Sequence, residues 1–155
     1  MTDTKIEIPD HVRTVRLQRR VDGEPQRVFR AWGSPDALAT WFPDNVDGSL
    51  AVDARSTLVF PSRRVWCDVL VVQPDELFQF RWPWLDSGDL VTTVTVTVTP
   101  RGYGSVVTLE DGPFDLTVPG VLDAYTHCLS GWGKALANLR AVIDFSVDLR
   151  RYRSG

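Results

Sequence analysis

The segment that most constrains this fold is residues 121–143, which carries the longest helical pattern in the chain. Its apolar and aromatic residues recur three or four positions apart, a spacing that places them on one face of an α-helix. A helix of this length would be roughly 35 Å long at 1.5 Å per residue. The rest of the chain must therefore supply an apolar surface that covers a long stripe. The stripe consists of Leu122, Tyr125, Leu129, Trp132, Leu136, Leu139 and Ile143.

Runs with period-two alternation fill much of the chain before this helix. In residues 90–99, Val94, Val96 and Val98 face one way and the intervening threonines face the other. Short turns separate the runs, which favours an antiparallel meander with one dry face. The predicted strands are 12–21, a short one around Leu50, 57–60, 65–73, 77–84, 90–99 and 105–111.

Two short helices are predicted between the first strand and the others. Pro25 suits the first turn of one helix, and Gly33 ends it. Ser34 caps the second helix, predicted over 36–41, with Pro35 in its first turn. Together with the meander and the long helix, they predict an α+β fold in two layers, in which about six or seven antiparallel strands wrap the last helix.

The composition excludes several classes of protein. The chain has 17 Lys+Arg against 20 Asp+Glu, so it has no overall basic field that would attract nucleic acid or an anionic membrane. Two cysteines do not make a disulfide framework, and no apolar run is long enough to span a bilayer. The polar N-terminus lacks the apolar core of a signal peptide, so a cytoplasmic protein with neither nucleic-acid nor membrane partner is expected.

The length of 155 residues suits one domain around one core. Residues 1–11 are interpreted as a flexible lead-in, 12–146 as the single domain and 147–155 as a basic C-terminal tail. The basic cluster at 150–153 is interpreted as a solvated chain end.

The segment 28–43, VFRAWGSPDALATWFP, resembles the two-helix signature of bacterial proteins named for the activator of heat-shock protein 90 ATPase homologue, in the START-like SRPBCC superfamily. Further similarities are the strand pair 69–82, the strand that ends at 100–102 and the pair Gly131-Trp132. The resemblance covers roughly residues 12–143. It implies the helix-grip fold, in which a curved antiparallel sheet wraps a C-terminal helix and leaves an apolar cavity. It implies no catalytic motif, and fold analogy alone assigns no chemistry.

The six tryptophans, seven phenylalanines and three tyrosines are numerous for one domain. Any single ring is expected to be ordinary core. As a set in a helix-grip fold, the rings are expected to line a hydrophobic pocket in which a few polar groups orient a ligand. Tyr125 would add a hydroxyl, and the tryptophans would add N–H donors. The residues assigned to the pocket wall are Trp41, Phe60, Trp66, Phe80, Trp82, Tyr125 and Trp132.

Some charged residues lie within apolar runs, namely Arg19, Asp68, Glu110 and Asp111. The simpler interpretation places each of them on the wet side or at a rim. If Asp68 or Glu110 instead faced the pocket, a raised pKa would suit it to general acid or base catalysis. These two carboxylates are the weak catalytic candidates.

Neither the histidines nor the cysteines suggest a reactive centre. His11 and His127 are too few for a histidine-based metal site, and His127 points away from the predicted buried stripe. Cys67 and Cys128 do not form a Cys-x-x-Cys pair, and Cys128 is expected to be a buried thiol. No metal and no cofactor are predicted.

The sequence therefore predicts that the protein binds a small hydrophobic or aromatic molecule between its sheet and its C-terminal helix, without defined catalysis. An aromatase/cyclase-like enzyme is one alternative, which polar groups converging inside the cavity would favour. A co-chaperone-like interaction module is the other, which a filled cavity and an exposed apolar patch would favour. A homodimer and a chaperone partner both stay open.

Overall fold

Seven strands and three α-helices form in the part of the chain that the computed structural model describes, residues 10–84, 86 and 88–152. The predicted lead-in and tail lie partly outside these residues, at 1–9 and 153–155. In chain order the elements are β1 (Val12–Val21), α1 (Pro25–Gly33), α2 (Pro35–Leu38), β2 (Asn45–Asp47), β3 (Arg55–Val59), β4 (Arg64–Gln73), β5 (Leu77–Pro83), β6 (Val91–Arg101), β7 (Gly104–Asp115), α3 (Val121–Phe145) and a C-terminal 3-10 turn (Leu149–Tyr152).

The strands form one antiparallel sheet in the order β1-β7-β6-β5-β4-β3-β2. The strands from β2 to β7 follow chain order because short turns join each to the next. β1 instead pairs with β7, so the two short helices lie in the connection that crosses from one edge of the sheet to the other. The curved sheet and the long helix confirm the predicted α+β helix-grip fold.

The period-two alternation is a good guide to the concave face. Val94, Val96 and Val98 on β6 are buried, as are Phe78 and Phe80 on β5. The threonines of β6 from position 93 onward alternate with these valines on the opposite face. One face of the sheet therefore packs on α3 and the other meets solvent.

Three predicted elements have a boundary that is wrong by three or more residues, and the other boundaries agree to within two residues. The short strand lies at Asn45–Asp47, and Leu50 is instead a buried loop residue. The second helix ends at Leu38, although Ser34 Oγ accepts the Ala37 N–H as predicted for its cap. The last strand continues four residues past 111 to Asp115.

Pro113 interrupts the sequence pattern of β7 but not the strand itself. The pairing of β7 with β6 ends at Gly112, so the missing N–H of Pro113 breaks no ladder on that side. On the β1 side the register shifts between Arg13 and Val15, and a Cβ at Gly112 would lie 3.0 Å from the Thr14 Cα. A glycine therefore allows β1 to approach the backbone next to Asp111.

The buried stripe of α3 differs from the predicted one in the N-terminal half of the helix. Leu122 and Leu129 are 56% and 41% exposed, whereas Ala124 and Cys128 are buried. The predicted stripe has a period of 3.5 residues, and an ideal helix drifts about 20° per heptad against that period. Leu122 and Ile143 are three heptads apart, so the predicted stripe turns by roughly 60° around the helix between them. When Ile143 packs in the core, Leu122 therefore faces solvent. None of the helices in the described ranges has the length and hydropathy of a membrane span.

A candidate ligand-binding cavity

A cavity of about 260 Å³ lies between the middle of α3 and one end of the concave sheet face. Rings from four places form its walls: the loop after α2, the turn between β3 and β4, the end of β5 and the middle of α3. α3 supplies residues spaced three or four apart, which follow one side of the helix. The lining residues are Trp41, Phe42, Phe60, Arg63, Trp82, Trp84, His127, Cys128, Gly131, Trp132, Lys134, Ala135, Asn138 and Arg150.

The aromatic walls are packed against one another. Phe42 stacks on Trp132 with ring centroids 4.7 Å apart, and its edge contact with Phe60 measures 5.2 Å. Trp82 lies 5.3 Å from Trp132 and 5.8 Å from Trp84. Because each ring is supported by another ring, the walls present preformed apolar surface to anything that enters.

The indole N–H groups of this wall are already used inside the protein. Trp41 Nε1 donates to the Ala31 carbonyl at 2.8 Å, and Trp84 Nε1 donates to the Thr92 hydroxyl at 2.9 Å. Trp82 Nε1 and Trp132 Nε1 both donate to a buried carboxylate, described next. The expectation that the tryptophans offer N–H donors to a ligand is therefore wrong for these four.

That carboxylate is Asp111, which is completely buried on the concave face of β7. Its Oδ2 atom accepts from Trp82 Nε1 at 3.2 Å, Trp132 Nε1 at 3.0 Å and the Cys128 thiol at 3.2 Å. No hydrogen bond of normal geometry from any described residue reaches Oδ1. Asp111 thus ties β5 and α3 to β7 from directly behind the cavity wall.

Burial raises the pKa of the Asp111 carboxyl, because removal from water disfavours the charged form. Hydrogen bonding from Thr92, Trp132, Cys128 and Trp82 acts in the opposite direction but is outweighed. All of these donors are neutral, so no full positive charge stabilises the carboxylate. Asp111 therefore keeps its proton to a higher pH than an ordinary aspartate.

The Cys128 thiol is also held in its protonated form. Burial is the main cause of its raised pKa, and the neighbouring charge of Asp111 adds to it. A thiolate is the reactive form of cysteine, so this residue is a hydrogen-bond donor rather than a nucleophile at neutral pH. Cys67 is likewise buried, with a pKa raised to about 12.

A second polar cluster borders the cavity through Asn138 and Arg150. We call it the C-terminal clasp, and it consists of Asn138, Asp148 and Arg150. Asn138 Nδ2 donates to the Trp41 carbonyl at 2.8 Å and to Asp148 at 3.0 Å, while its Oδ1 accepts the Leu149 N–H at 2.7 Å. Both ends of the Asn138 amide are therefore used.

Arg150 is the hub of the clasp. Its guanidinium pairs with Asp148 at 2.9 Å and donates to the carbonyls of Ala39 at 2.9 Å and Pro43 at 2.7 Å. This bonding lowers the pKa of Asp148 to about 2. The interpretation of the 150–153 cluster as a solvated end is wrong for Arg150, whose side chain is only 18% exposed.

Four of the seven residues assigned to the pocket wall line this cavity, namely Trp41, Phe60, Trp82 and Trp132. The other three lie elsewhere. Phe80 is buried in the core against Trp82, at 5.5 Å. Tyr125 packs against Phe114 at 5.7 Å. Trp66 is half-buried among the residues of β4 that alternate with the buried ones, with the Arg55 guanidinium 4.3 Å from its ring centroid.

The two catalytic candidates lie outside the cavity. Asp68 shares the outer face of β4 with Trp66 and pairs with Arg55 at 2.7 Å and Arg81 at 3.5 Å. These hydrogen bonds lower the pKa of Asp68, opposite to the rise that acid catalysis in a pocket would require. Glu110 is exposed and lies 4.0 Å from Arg16.

Asp111 is the residue that the sequence reasoning passed over in favour of its neighbour. The alternation of Val107, Leu109 and Asp111 on the buried face of β7 was the signal that could have found it. Arg19 also faces inward, because it pairs with the buried Val107 across β1 and β7. His127 is exposed, as expected, but it lies at the edge of the cavity.

Comparison with known families gives one match over most of the chain. The model described as Activator of Hsp90 ATPase homolog 1-like protein matches residues 22–144. Comparison with curated protein sequences gives no match.

Solved structures with the same fold include protein MLL2253 from Mesorhizobium loti, which is 26% identical, with a TM-score of 0.77 over 87% of this chain and 99% of that chain. The Aha1 dimer from Colwellia psychrerythraea is 15% identical, with a TM-score of 0.74 over 85% of this chain and 96% of that one. DynU16, a protein of the dynemicin biosynthetic locus, is 22% identical, with a TM-score of 0.74 over 89% of this chain and 49% of its own.

Proposed function

This chain belongs to the family of Activator of Hsp90 ATPase homolog 1-like proteins, and from the geometry of its cavity we propose that it binds one small, largely apolar or aromatic molecule between the sheet and α3. The observation that carries the proposal is the ring-lined cavity of about 260 Å³. This volume falls slightly below the range of roughly 300–1,000 Å³ usual for ligand pockets. The ligand is therefore small, of up to about three aromatic rings.

Binding fits the cavity better than catalysis does. A cyclase-like enzyme needs polar groups that reach the substrate, and the carboxyl of Asp111 lies behind Trp82 and Trp132 rather than in the lining. The Asn138 amide and the Cys128 thiol, which do line the cavity, direct their donors to protein atoms. A co-chaperone-like role is less well supported, because the rings leave the cavity open instead of filling it.

Two glycines of α3 allow a sharp test of the site. A Cβ at Gly131 or at Gly133 would meet no heavy atom within 4 Å outside the backbone of its own helix, so a side chain can begin at either position without a clash at its Cβ. Only Gly131 lines the cavity. Gly131→Leu therefore places a bulky group at the cavity mouth, while Gly133→Leu makes the same change outside the lining.

The measurement is fluorescence titration with phenylnaphthylamine, an uncharged aromatic dye that brightens in apolar surroundings. We expect the wild type and Gly133→Leu to bind it equally, and Gly131→Leu to bind at least about tenfold more weakly. Both variants should gain about 0.5–1 kcal/mol in free energy of unfolding, since leucine is the better helix former. Equal binding by all three proteins would mean that the dye does not occupy this cavity, and would refute the site.

A further inference from the structure

We propose that the natural ligand of this cavity carries a negative charge, such as a carboxylate, at the end that lies in the cavity mouth. This inference rests on the proposed binding function and specifies the class of molecule bound. It follows from which polar groups of the lining are still free, from the sign of their charge and from their position at the mouth.

Most polar groups of the lining are bonded within the protein. The Arg150 guanidinium is held by Asp148 and the backbone carbonyls, and Asn138 is bonded through both ends of its amide. The Cys128 thiol donates to Asp111. A ligand in the cavity therefore finds the polar side chains of the walls already occupied.

Three lining side chains are left, and all of them are basic: Arg63, His127 and Lys134. Among the described residues, no carboxylate lies within 4.0 Å of any of the three. The lining contributed by the described residues contains no aspartate or glutamate, although the chain as a whole carries a net charge of −3. The mouth is thus basic against an acidic background.

The three groups surround the entrance rather than the depth of the cavity. Arg63 comes from the turn between β3 and β4, whereas His127 and Lys134 lie seven positions apart on one side of α3. All three are exposed. Two acidic residues, Asp86 and Asp123, line a neighbouring pocket together with Arg63 and His127. A ligand can therefore bury its apolar body among the rings while its charged end lies near the cationic side chains of Arg63 and Lys134.

This arrangement discriminates by charge. A carboxylate or sulfonate gains charge-assisted hydrogen bonds from Arg63 and Lys134, and the neighbouring rings reduce the screening of that attraction by water. A cationic ligand of the same shape would meet like charges at the mouth. A neutral ligand would gain only the apolar contact.

The test compares two dyes that share one apolar body. Anilinonaphthalene sulfonate is an anion, and phenylnaphthylamine is its uncharged counterpart. The proteins are the wild type, the double variant Arg63→Gln with Lys134→Gln, and a control, Arg30→Gln with Arg101→Gln. Arg30 and Arg101 are exposed and lie outside the cavity, so the control makes the same change in net charge.

We expect the wild type to bind the sulfonate more tightly than the neutral dye, with a preference that shrinks as salt is added. The double variant should lose about tenfold in affinity for the sulfonate but less than about twofold for the neutral dye. The control should lose neither. Gly131→Leu should weaken binding of both dyes at least about tenfold, which distinguishes binding in the cavity from adsorption of the anion on a basic surface.

The possible results separate the two proposals. If the wild type binds neither dye, the proposed binding function fails and the charge preference fails with it. If it binds both dyes equally, or if the double variant and the control lose the sulfonate alike, the cavity binds apolar molecules but the anionic end is refuted. Selective loss of the sulfonate in the double variant alone supports the inference.

Discussion

Two of the carboxylates that tie α3 to the rest of the fold, Asp111 and Asp148, have environments that shift their pKa values in opposite directions. Asp111 is completely buried and accepts only neutral donors, so its pKa rises. Asp148 is partly exposed and paired with a guanidinium, so its pKa falls to about 2. The difference shows that the C-terminal clasp stabilises a charge, whereas the cluster behind the cavity buries a group that is costly to ionise.

The two clusters also differ in which part of the fold they hold in place. The clasp holds the chain end against the loop after α2, where Arg150 binds backbone carbonyls of Ala39 and Pro43. Asp111 instead fixes the orientation of Trp82 and Trp132, two of the rings that form the cavity wall. We infer that the fold accepts a costly buried carboxyl at this point because it holds the walls of the candidate site in place.

The largest effect should come from replacing Asp111 by leucine. The change leaves Trp82 Nε1, Trp132 Nε1 and the Cys128 thiol buried without an acceptor, and each unsatisfied buried donor is costly. We expect the free energy of unfolding in urea to fall by about 3–5 kcal/mol. Asp111→Asn keeps an acceptor oxygen of the same shape and should cost much less. A similar loss in both variants would show that the charge matters, and not the acceptor.

The next effect should come from the hub of the clasp. Arg150→Met removes the partner of Asp148 and three hydrogen bonds to backbone carbonyls, so we expect a loss of about 2–3 kcal/mol. Arg151→Met is the matched control at the next position. Arg151 is exposed, so this change should stay within about 0.5 kcal/mol. Comparable losses from the two variants would mean that the clasp does not hold the chain end.

The sequence could predict the sheet and α3 but not these two clusters. The sheet and α3 follow from local patterns, such as the valines of β6 and the rings of β5, because alternation and helical spacing report which side is buried. The stripe on α3 was correct at Leu136, Leu139 and Ile143 and failed toward the N-terminal end. The apolar residues recur with a period of 3.5, whereas an ideal helix has 3.6 residues per turn. The buried face predicted from the spacing is therefore displaced around the helix as the distance along it increases.

The candidate site was harder to predict, because its parts meet only in three dimensions. Trp66 and Trp82 both sit in apolar strand segments, yet the first lies on the outer face of β4 and the second lines the cavity. Nor does the sequence reveal that the indole N–H groups converge on Asp111, or that Arg150 folds back on the loop after α2. These contacts join residues far apart in the chain, so no short-range pattern records them.

The smallest expected effect is the dependence of the free energy of unfolding on pH, which distinguishes Asp111 from Asp148 most directly. The Asp148 carboxylate contributes stability above the ordinary aspartate pKa of 3.8 and loses it as the pH falls toward its folded value of about 2, a change of up to about 2 kcal/mol. The contribution of Asp111 to stability depends on pH in the opposite direction. Its folded form binds a proton more tightly than the unfolded chain, so its contribution is complete below pH 3.8 and is lost as the pH rises through the raised pKa.

Urea unfolding across the pH range should separate the two carboxyl groups. In Asp148→Asn, the free energy of unfolding should fall less than in the wild type as the pH drops below 3.8, because the carboxyl group that becomes protonated there is gone. In Asp111→Asn, the free energy of unfolding should fall less than in the wild type as the pH rises above 3.8. Below pH 3.8 its dependence on pH should be the same as in the wild type. If Asp111→Asn altered the acid side instead, the Asp111 carboxylate would be stabilised in the folded protein like that of Asp148, and the contrast between the two clusters would not hold.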